Sequence, residues 1–482
     1  MANFKRQVAH SRAWCGADTR GGGGPISRSD ANCRRQPGPE RRIRTPAALV
    51  CWAALGIVSV ALFASSCGSP SREPVTLSYF RLGWSQPDEP PSAQSLSQRF
   101  VRETGIQLRN LPVPENTLDQ LALSKKLLTG GSGPDVLGVD LIWSGVLAGD
   151  LIDLRAALAS ELPSLAPQLL PSYTVNGKLV AVPYTVQTGV LEYRTDLLRE
   201  YGYEHPPKTW QDLETMAARI QTGERAKGRR DFWGYVWQGA DAEALTCNAL
   251  EWQASAGGGQ IIEDDGTISV NNPAAIRSWQ RAKRWIGWIS PPGVVAYRES
   301  DSINAFDSGG AVFNRVWGGA KITPGGMFRQ LHWRTSLEPG KTGYTSMPSG
   351  PGGSVGALGG SGLAVSRRSA HPQEALQLVR FLIRAEVQSS EQEERTSAGQ
   401  PGVFRPPAIS ESAGKFQTGV VSRPSNITGA KYEEATRAYI RAVHSVLTGE
   451  KGAPEAALEL ERELTALPGL GTARRVRDKL PE

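Results

Sequence analysis

Two carboxylates, Asp140 and Glu299, are considered first, because a pair of such residues could perform acid–base chemistry. Asp140 follows a short apolar run, Asp135 to Val139, and lies three residues before Trp143. Glu299 lies seven residues before Phe306. A glycoside hydrolase needs two opposed carboxylates in differently tuned environments. This pair could supply them, but no catalytic motif surrounds either residue.

Other residue types that carry chemistry form no cluster in the sequence. The five histidines are scattered, at His10, His205, His332, His371 and His444. Of the five cysteines only Cys67 and Cys247 follow residue 66, which excludes a disulfide framework. Cys247 lies in an apolar helical stretch and is interpreted as a small core residue. The glycine run 21–24 lacks the Lys-Ser/Thr of a phosphate-binding loop. We predict no catalytic residue, no metal and no cofactor.

The positive charge of the chain is confined to its N-terminus. The formal net charge is +7, but residues 1–66 hold ten Lys and Arg against three acids, which leaves 44 of each sign in the remainder. A neutral body offers no electrostatic footprint for nucleic acid, although the pI is near 9.2. At 482 residues the chain is long enough for two lobes, each with its own core.

The N-terminus has the pattern of an export signal. Residues 1–45 are predicted to be a disordered basic leader, and 46–66 an uncharged apolar segment that follows three arginines. Residues 64–69, Ala-Ser-Ser-Cys-Gly-Ser, resemble a bacterial lipobox, in which Cys67 would be lipidated and residues 67–74 would form a linker. The box usually has leucine where Ala64 stands. The apolar run is also long enough to remain as an uncleaved membrane anchor, and both alternatives place the body outside the cytoplasm.

The body alternates predicted strands and helices. Short apolar runs at 75–80, 106–111 and 135–139 are separated by helical patterns at 95–104 and 118–128, and a further helix is predicted at 372–383. Such alternation favours a mainly parallel sheet, in which ligands collect outside the carboxyl ends of the strands. Asp140 lies at such an end, and Trp84 lies in the loop after the first strand.

One stretch, 176–210, is predicted to carry the chain from one lobe to the other. The pair Asn176-Gly177 predicts a tight turn. An apolar strand follows, then an irregular polar segment from Tyr184 to Gly189, and a second strand at 190–193. Thr209, with Asp212 three residues later, predicts a capped helix. A strand that pauses and restarts is expected where a chain crosses between lobes, and ligands bind at such crossings.

Several ordered blocks resemble the extracellular (family 1) solute-binding proteins of ABC sugar importers. They are GSGPDVLGVDLIWSGVLAGDLIDL (131–154), the stretch 176–210, WGYVWQGADAEALTCNALEWQASAGGG (233–259), ISVNNPAAI (268–276), SINAFDSGGAVFNRVW (302–317) and GALGGSGLAVSRRSAHPQEALQLVRFL (356–382). The segment AEALTCNALEW (242–252) is similar to the corresponding segment of the trehalose/maltose-binding branch of this family.

The resemblance implies an α/β fold of the periplasmic-binding-protein kind. Two lobes, each a mainly parallel sheet flanked by helices, would close on a ligand in the cleft between them. The implied lobes are discontinuous, 75–184 with 356–400 and 185–355 with 401–482.

The resemblance also implies a set of ligand-binding residues. Asp140 matches an aspartate that accepts hydrogen bonds from sugar hydroxyls, although it could instead cap a helix. Gln187 lies at the lobe crossing, where an ordinary loop amide is the alternative. Glu299 matches a hydroxyl-binding acid, but its neighbour Asp301 could be meant instead, and a solvated surface acid is equally compatible. Trp84 is included on its loop position alone.

The remaining implied contacts lie late in the chain. Trp317 matches a tryptophan that stacks on a sugar ring, although the proline that usually follows is absent. Gly359, Gly360 and Ser361 match a segment whose backbone approaches the sugar, with strand packing as the alternative. Arg423 matches an arginine that reaches the ligand. Trp237 and Trp252 are predicted to be core residues.

The resemblance further implies the partners of the chain. It predicts a lipid-anchored, extracytoplasmic and monomeric receptor that is not an enzyme, and that delivers a disaccharide or related α-glucoside to permease subunits served by a separate ATPase. Trehalose, maltose, sucrose and glucosylglycerol remain open as ligands. A secreted glycoside hydrolase and a sugar-sensing receptor are the alternatives.

Overall fold

The structure, a computed structural model, describes residues 74–80, 91–114, 117–131, 133–165, 167–319, 337, 340–384, 387 and 419–468. Two residues with predicted roles, Cys67 and Trp84, lie outside these ranges, as do the basic leader and the apolar segment. None of the helices in the described ranges has the length and apolar character needed to cross a membrane.

The first part of the body alternates strands and helices, as its pattern predicts. Its elements are β1 (Thr76–Phe80), α1 (Pro91–Thr104), β2 (Gln107–Leu111), α2 (Thr117–Thr129), β3 (Val136–Asp140) and α3 (Ser144–Leu147). Strand β1 pairs in parallel with both β2 and β3. The carboxyl ends of these strands therefore meet at one edge of the sheet, where Asp140 ends β3.

The predicted turn at Asn176-Gly177 is confirmed. It joins β4 (Thr174–Val175) to β5 (Lys178–Leu179), with φ angles of 49° and 79° at the two turn residues. Positive φ at both central positions is what a two-residue hairpin of this kind requires.

The predicted pause in the crossing strand is wrong. A single strand, β6, runs from Val182 to Arg194 through the polar segment Tyr184 to Gly189. The segment is extended because β12 pairs with it from Thr185 to Thr188 and β8 pairs with it from Gln187 onward, so that backbone groups are paired despite the polar side chains. The sequence pattern could not show those neighbours.

The second part of the body is richer in helices. Its helices and strands are, in chain order, α4 (Thr195–Glu200), α5 (Trp210–Ala226), β7 (Trp233–Val236), α6 (Glu243–Ser255), α7 (Pro273–Trp285), α8 (Glu299–Asp307), β8 (Ala311–Gly319) and β9 (Thr342–Ser346). The predicted capping box of α5 is present, with Thr209 Oγ1 accepting from Asp212 N at 3.1 Å and Asp212 Oδ2 accepting from Thr209 N at 3.0 Å.

The chain then returns to the first part before it ends in helices. These elements are β10 (Ser349–Gly350), β11 (Gly353–Ser354), β12 (Gly356–Val365), α9 (Pro372–Ile383), β13 (Val420–Val421), α10 (Ser425–Thr428), α11 (Tyr432–Thr448) and α12 (Ala453–Thr465). Helix α9 has the bounds that the sequence predicts.

Among the described residues, one sheet of nine strands links both parts of the body. Its main order is β2-β1-β3-β12-β6-β8-β7, with β13 beside β12 and β9 beside β6. Strand β12 is antiparallel to β3 and to β6, and β6 is antiparallel to β8. The two long strands β12 and β6 therefore connect the parallel strands of the first part to the strands of the second.

Two hydrophobic cores lie along this sheet. The first gathers β1, β3, the start of β6, the end of β12 and α9, and it includes Tyr432. The second gathers α5, α6, α7, β8, α11 and α12, and it includes Trp237 and Trp252, as predicted. The architecture is a two-lobed α/β fold. Cys247 is buried, as predicted, and burial raises the pKa of its thiol to about 12.

Candidate ligand-binding site

The strand register brings several of the predicted residues onto one face of the sheet. Asp140 lies opposite Ser361, and Ser361 lies opposite Thr185. Gln187 lies opposite Gly359 on one side and Gly319 on the other. Residues directly opposite each other, and residues two apart along a strand, share a face.

Trp317 completes this face. It lies opposite Gly189, two residues from Gln187 on β6. The face therefore carries side chains from four neighbouring strands, β3, β12, β6 and β8, and we call it the crossing face. Gly360 lies between Gly359 and Ser361 with a φ of 133°, a conformation that favours glycine.

Asp140 is held at the end of β3 by two groups. Its Oδ1 atom accepts from Ile142 N at 3.3 Å and so caps the helical turn Leu141–Trp143. Arg423 Nη2 lies 3.6 Å from the same oxygen. The carboxylate remains partly accessible, so capping and hydroxyl binding are compatible roles for it.

Arg423 is buried in a network that the sequence analysis missed. Its Nη1 atom donates to Glu243 Oε1 at 3.0 Å, and its Nη2 atom donates to the carbonyl of Leu358 at 3.3 Å. Glu243 also accepts from Tyr432 Oη and from Thr436 Oγ1. Arg423 thus links the end of β3, strand β12 and helix α6.

Ser361 and Gln187 lie at the centre of the crossing face. Ser361 N donates to Thr185 Oγ1 at 2.9 Å, and the two hydroxyl oxygens are 2.9 Å apart. Gln187 is partly buried in β6. Thr185 was not among the predicted residues, although it lies in the polar segment that the sequence singled out.

Trp317 lies between two neighbours along the strand direction. The guanidinium carbon of Arg315 lies 4.2 Å from the centroid of the Trp317 ring. A Cβ atom on Gly359 would lie 2.7, 3.1 and 3.2 Å from the ring atoms Cζ3, Cη2 and Cε3. The absence of a side chain at Gly359 is therefore what lets the ring lie over β12.

Glu299 and Asp301 differ in their surroundings. Asp301 is exposed, and its Oδ2 atom accepts from Arg298 N at 2.8 Å at the start of α8. Glu299 is partly buried, and this burial raises the pKa of its carboxyl, with Arg315 opposing the change and Glu243 reinforcing it. Glu299 therefore lies close enough to Arg315 and Glu243, which surround the crossing face, for their charges to affect its pKa.

The residues that the structure describes were compared with the ligand sets that hold metal ions. No group of three or more His, Cys, Asp or Glu residues there could hold a metal ion.

A two-lobed α/β fold whose long connecting strands carry polar and aromatic side chains defines the class of periplasmic-type binding proteins. The chain belongs to the bacterial extracellular solute-binding protein family, whose sequence model matches residues 83–389. This family binds solutes for ABC transporters outside the cytoplasm and performs no catalysis, so the hydrolase alternative is set aside.

Three similar proteins illustrate the relationship. A probable ABC transporter-binding protein of Deinococcus radiodurans is 38% identical over 383 residues, which are 77% of this chain and 89% of that protein. The maltodextrin-binding protein MdxE of Bacillus subtilis is 24% identical over 213 residues, 43% of this chain and 48% of that protein. The solved structure of maltose-bound T. maritima MalE3 has a TM-score of 0.69 and 29% identity, and the match covers 81% of this chain and 99% of that one.

Proposed function

We propose that this chain captures a disaccharide or related α-glucoside on the crossing face and delivers it to the permease of an ABC importer. The observation that carries the proposal is the register that places Asp140, Ser361, Gln187 and Trp317 on the same face of four adjacent strands. Two of the similar proteins support the ligand class, since one is named for maltodextrin and one was solved with maltose.

The chemistry of the crossing face suits a sugar. Each sugar hydroxyl both donates and accepts, so a carboxylate, an amide and a hydroxyl can together satisfy several of them. The C–H face of a sugar ring packs against an aromatic ring such as that of Trp317. Hydrogen bonds to a charged group contribute roughly 1.5–3 kcal/mol each, which makes Asp140 a stronger proposed contact than the neutral Ser361 and Gln187.

The proposal includes further contacts and boundaries. Glu299 is the preferred acid over Asp301, because Glu299 is partly buried and interacts electrostatically with Arg315 and Glu243, whereas Asp301 is exposed. Arg423 acts on the ligand or, through its 3.6 Å contact, on Asp140. The lobes are proposed to comprise 75–184 with 356–400 and 185–355 with 401–482. Trp84 is proposed as an additional ligand contact.

Membrane attachment is also part of the proposal. Lipidation of Cys67 would tether a monomeric receptor beside permease subunits that depend on a separate ATPase. A Cys67→Ser variant that stayed at the membrane with the apolar segment still attached, shown by mass spectrometry, would indicate an uncleaved anchor instead.

The ligand class is tested by thermal unfolding of the full-length chain with trehalose, maltose, sucrose and glucosylglycerol. A ligand at about 100 times its Kd that binds only the folded state adds roughly 2.7 kcal/mol to the free energy of unfolding. Asp140→Asn should remove most of this stabilisation, because the amide replaces a charged acceptor with a neutral group that also donates. If none of these sugars stabilises the parent chain, the proposed ligand class is wrong.

A further inference from the structure

A fully buried ion pair lies next to the tryptophan of the crossing face. Arg315 Nη2 donates to Glu251 Oε1 at 2.6 Å and Arg315 Nε donates to Glu251 Oε2 at 3.1 Å. Both side chains have an exposed fraction of 0%. A buried pair is weak evidence for stability, because desolvation offsets most of the attraction between the charges. Its position calls for another explanation.

The pair is built into the strands that carry the crossing face. Arg315 belongs to β8, two residues before Trp317, and Glu251 belongs to α6. Glu251 Oε1 also accepts from Ala357 N of β12 at 3.0 Å. A Cβ atom on Gly189 would lie 1.8 Å from this same oxygen, so the glycine in β6 leaves the space that the carboxylate occupies.

The contacts on Trp317 come from opposite directions along the strand. Arg315 lies two residues before Trp317 on β8. Gly359 lies opposite Gln187, which in turn lies opposite Gly319, two residues after Trp317. Glu251 fixes both contacts, since it holds the guanidinium and also the backbone of β12 two residues before Gly359. Two of the residues that restrain the indole ring, Arg315 and Glu251, therefore lie outside the predicted ligand contacts.

We propose that Arg315, oriented by Glu251, is a positioning residue that fixes the plane of the Trp317 ring and thereby sets the affinity and selectivity of sugar stacking. This inference rests on the proposed function of the crossing face. A planar guanidinium can stack on an aromatic ring and form two parallel hydrogen bonds to one carboxylate, which a lysine ammonium cannot do. Arg315→Lys therefore keeps the charge but loses the support of the ring.

A less buried Arg–Glu pair between α7 and α5 serves as a control. Arg281 also forms two bonds to one carboxylate, from Nε and Nη2 to Glu214 at 2.7 and 2.9 Å. Among the described residues, no hydrogen bond or ring contact joins that pair to Trp317. Arg281→Lys therefore measures the effect of weakening an Arg–Glu pair without disturbing the proposed platform.

The first measurement needs no ligand. The full-length chain is labelled with 5-fluorotryptophan, and the ¹⁹F resonance of Trp317 is assigned by its loss in Trp317→Phe. Arg315→Lys should shift or broaden this resonance, and Arg281→Lys should leave it unchanged. An unchanged Trp317 resonance in folded Arg315→Lys would overturn the proposal, whether or not the parent chain binds a sugar.

The second measurement uses calorimetric titration with the sugar that stabilises the parent chain most. Arg315→Lys should raise Kd roughly tenfold and change the ratio of Kd values between two accepted sugars. Arg281→Lys should change neither quantity. Equal effects of the two lysine variants on both quantities would show a merely structural role and overturn the proposal.

A neutral replacement covers the case in which Arg315→Lys fails to fold with Glu251 buried opposite a poorly fitting cation. The double variant Glu251→Gln with Arg315→Met removes both buried charges of this pair, and such replacements are often tolerated. It should show the same displaced Trp317 resonance and weakened binding. A folded double variant with the parent resonance and the parent Kd would overturn the proposal.

Discussion

At the scale of single residues, the candidate site depends as much on missing side chains as on present ones. Gly359 and Gly189 provide the space in which Trp317 and Glu251 lie, and each would clash if it carried a Cβ atom. In the glycine-rich segment 356–362, Gly356, Gly359 and Gly362 are explained by close packing of other side chains against the strand, and Gly360 by its positive φ.

Gly359→Ala should weaken sugar binding, because its new methyl group would lie 2.7 Å from Cζ3 of Trp317 and must displace the ring. We expect a rise in Kd of roughly tenfold, comparable to the loss of one aromatic contact. Titration calorimetry measures it, with Gly131→Ala as the control, since nothing lies within 4 Å of a Cβ at that position. Parent-like affinity in Gly359→Ala would place the ligand away from Trp317.

Glu299→Gln should alter the pH dependence of stability. Burial raises the pKa of Glu299, so folding favours the protonated acid, and stability is lost as pH rises from the ordinary value near 4.3 through the raised value. The glutamine variant avoids this loss and should gain stability over the parent at pH 7, with the difference shrinking toward pH 4.

Urea unfolding at several pH values measures this difference. Glu204→Gln, at an exposed position, is the control and should show no such trend. A Glu299→Gln difference that stays constant between pH 4 and pH 7 would contradict the assigned environment of Glu299.

At the scale of elements, helix α5 shows how local chemistry defines a boundary. Thr209 and Asp212 satisfy two backbone N–H groups at the first turn, where the helix itself provides no acceptor. The helix then packs Trp210, Leu213 and Ala217 into the second core. Capping and burial thus agree on where the helix starts and which side it presents to the core.

Thr209→Ala should lower the free energy of unfolding by about 1 kcal/mol, the typical contribution of such a cap. Thr215→Ala, in the exposed middle of the same helix, is the control because its hydroxyl bonds only to the carbonyl of Gln211. Denaturant unfolding of both variants gives the comparison. Equal losses in the two variants would mean that the capping box does not stabilise α5.

At the scale of the whole molecule, the C-terminal segment contacts both hydrophobic cores. Tyr432 belongs to the first core, whereas Tyr439 and Val443 of the same helix, α11, belong to the second. Lys125 of α2 also pairs with Glu433 of α11. The segment therefore ties the two parts of the body together in addition to the long strands β6 and β12.

Gly145→Ala should disturb this tie. Its Cβ atom would lie 2.6 Å from the Cα atom of Gly429, and backbone atoms on both sides leave little room to relax. We expect a loss of about 1–3 kcal/mol, as for other overpacked contacts. Denaturant unfolding measures it, with Gly149→Ala, which would contact nothing within 4 Å, as the control. Equal stability of the two variants would show that the contact can relax.

The sequence by itself determined the features that depend on near neighbours in the chain. The turn at Asn176-Gly177, the capping box at Thr209 and the bounds of α9 all follow from residue types within a few positions. The placement of Asp140 at a strand end followed in the same way, from an apolar run that stops at a polar residue. The resemblance to the solute-binding protein family followed from several sequence segments in the same order, and the family match confirms it.

Only the tertiary structure decided which distant residues meet. Glu251 and Arg315 are 64 positions apart, and Glu243 and Arg423 are 180 apart, yet each pair shares a buried hydrogen bond. Helix α6 is buried on nearly every side, which signals that its glutamates need partners but does not name them. The continuous strand β6 was missed for the same reason: its backbone partners, β12 and β8, come from more than a hundred residues further along the chain, and pairing through space overrides a polar local pattern.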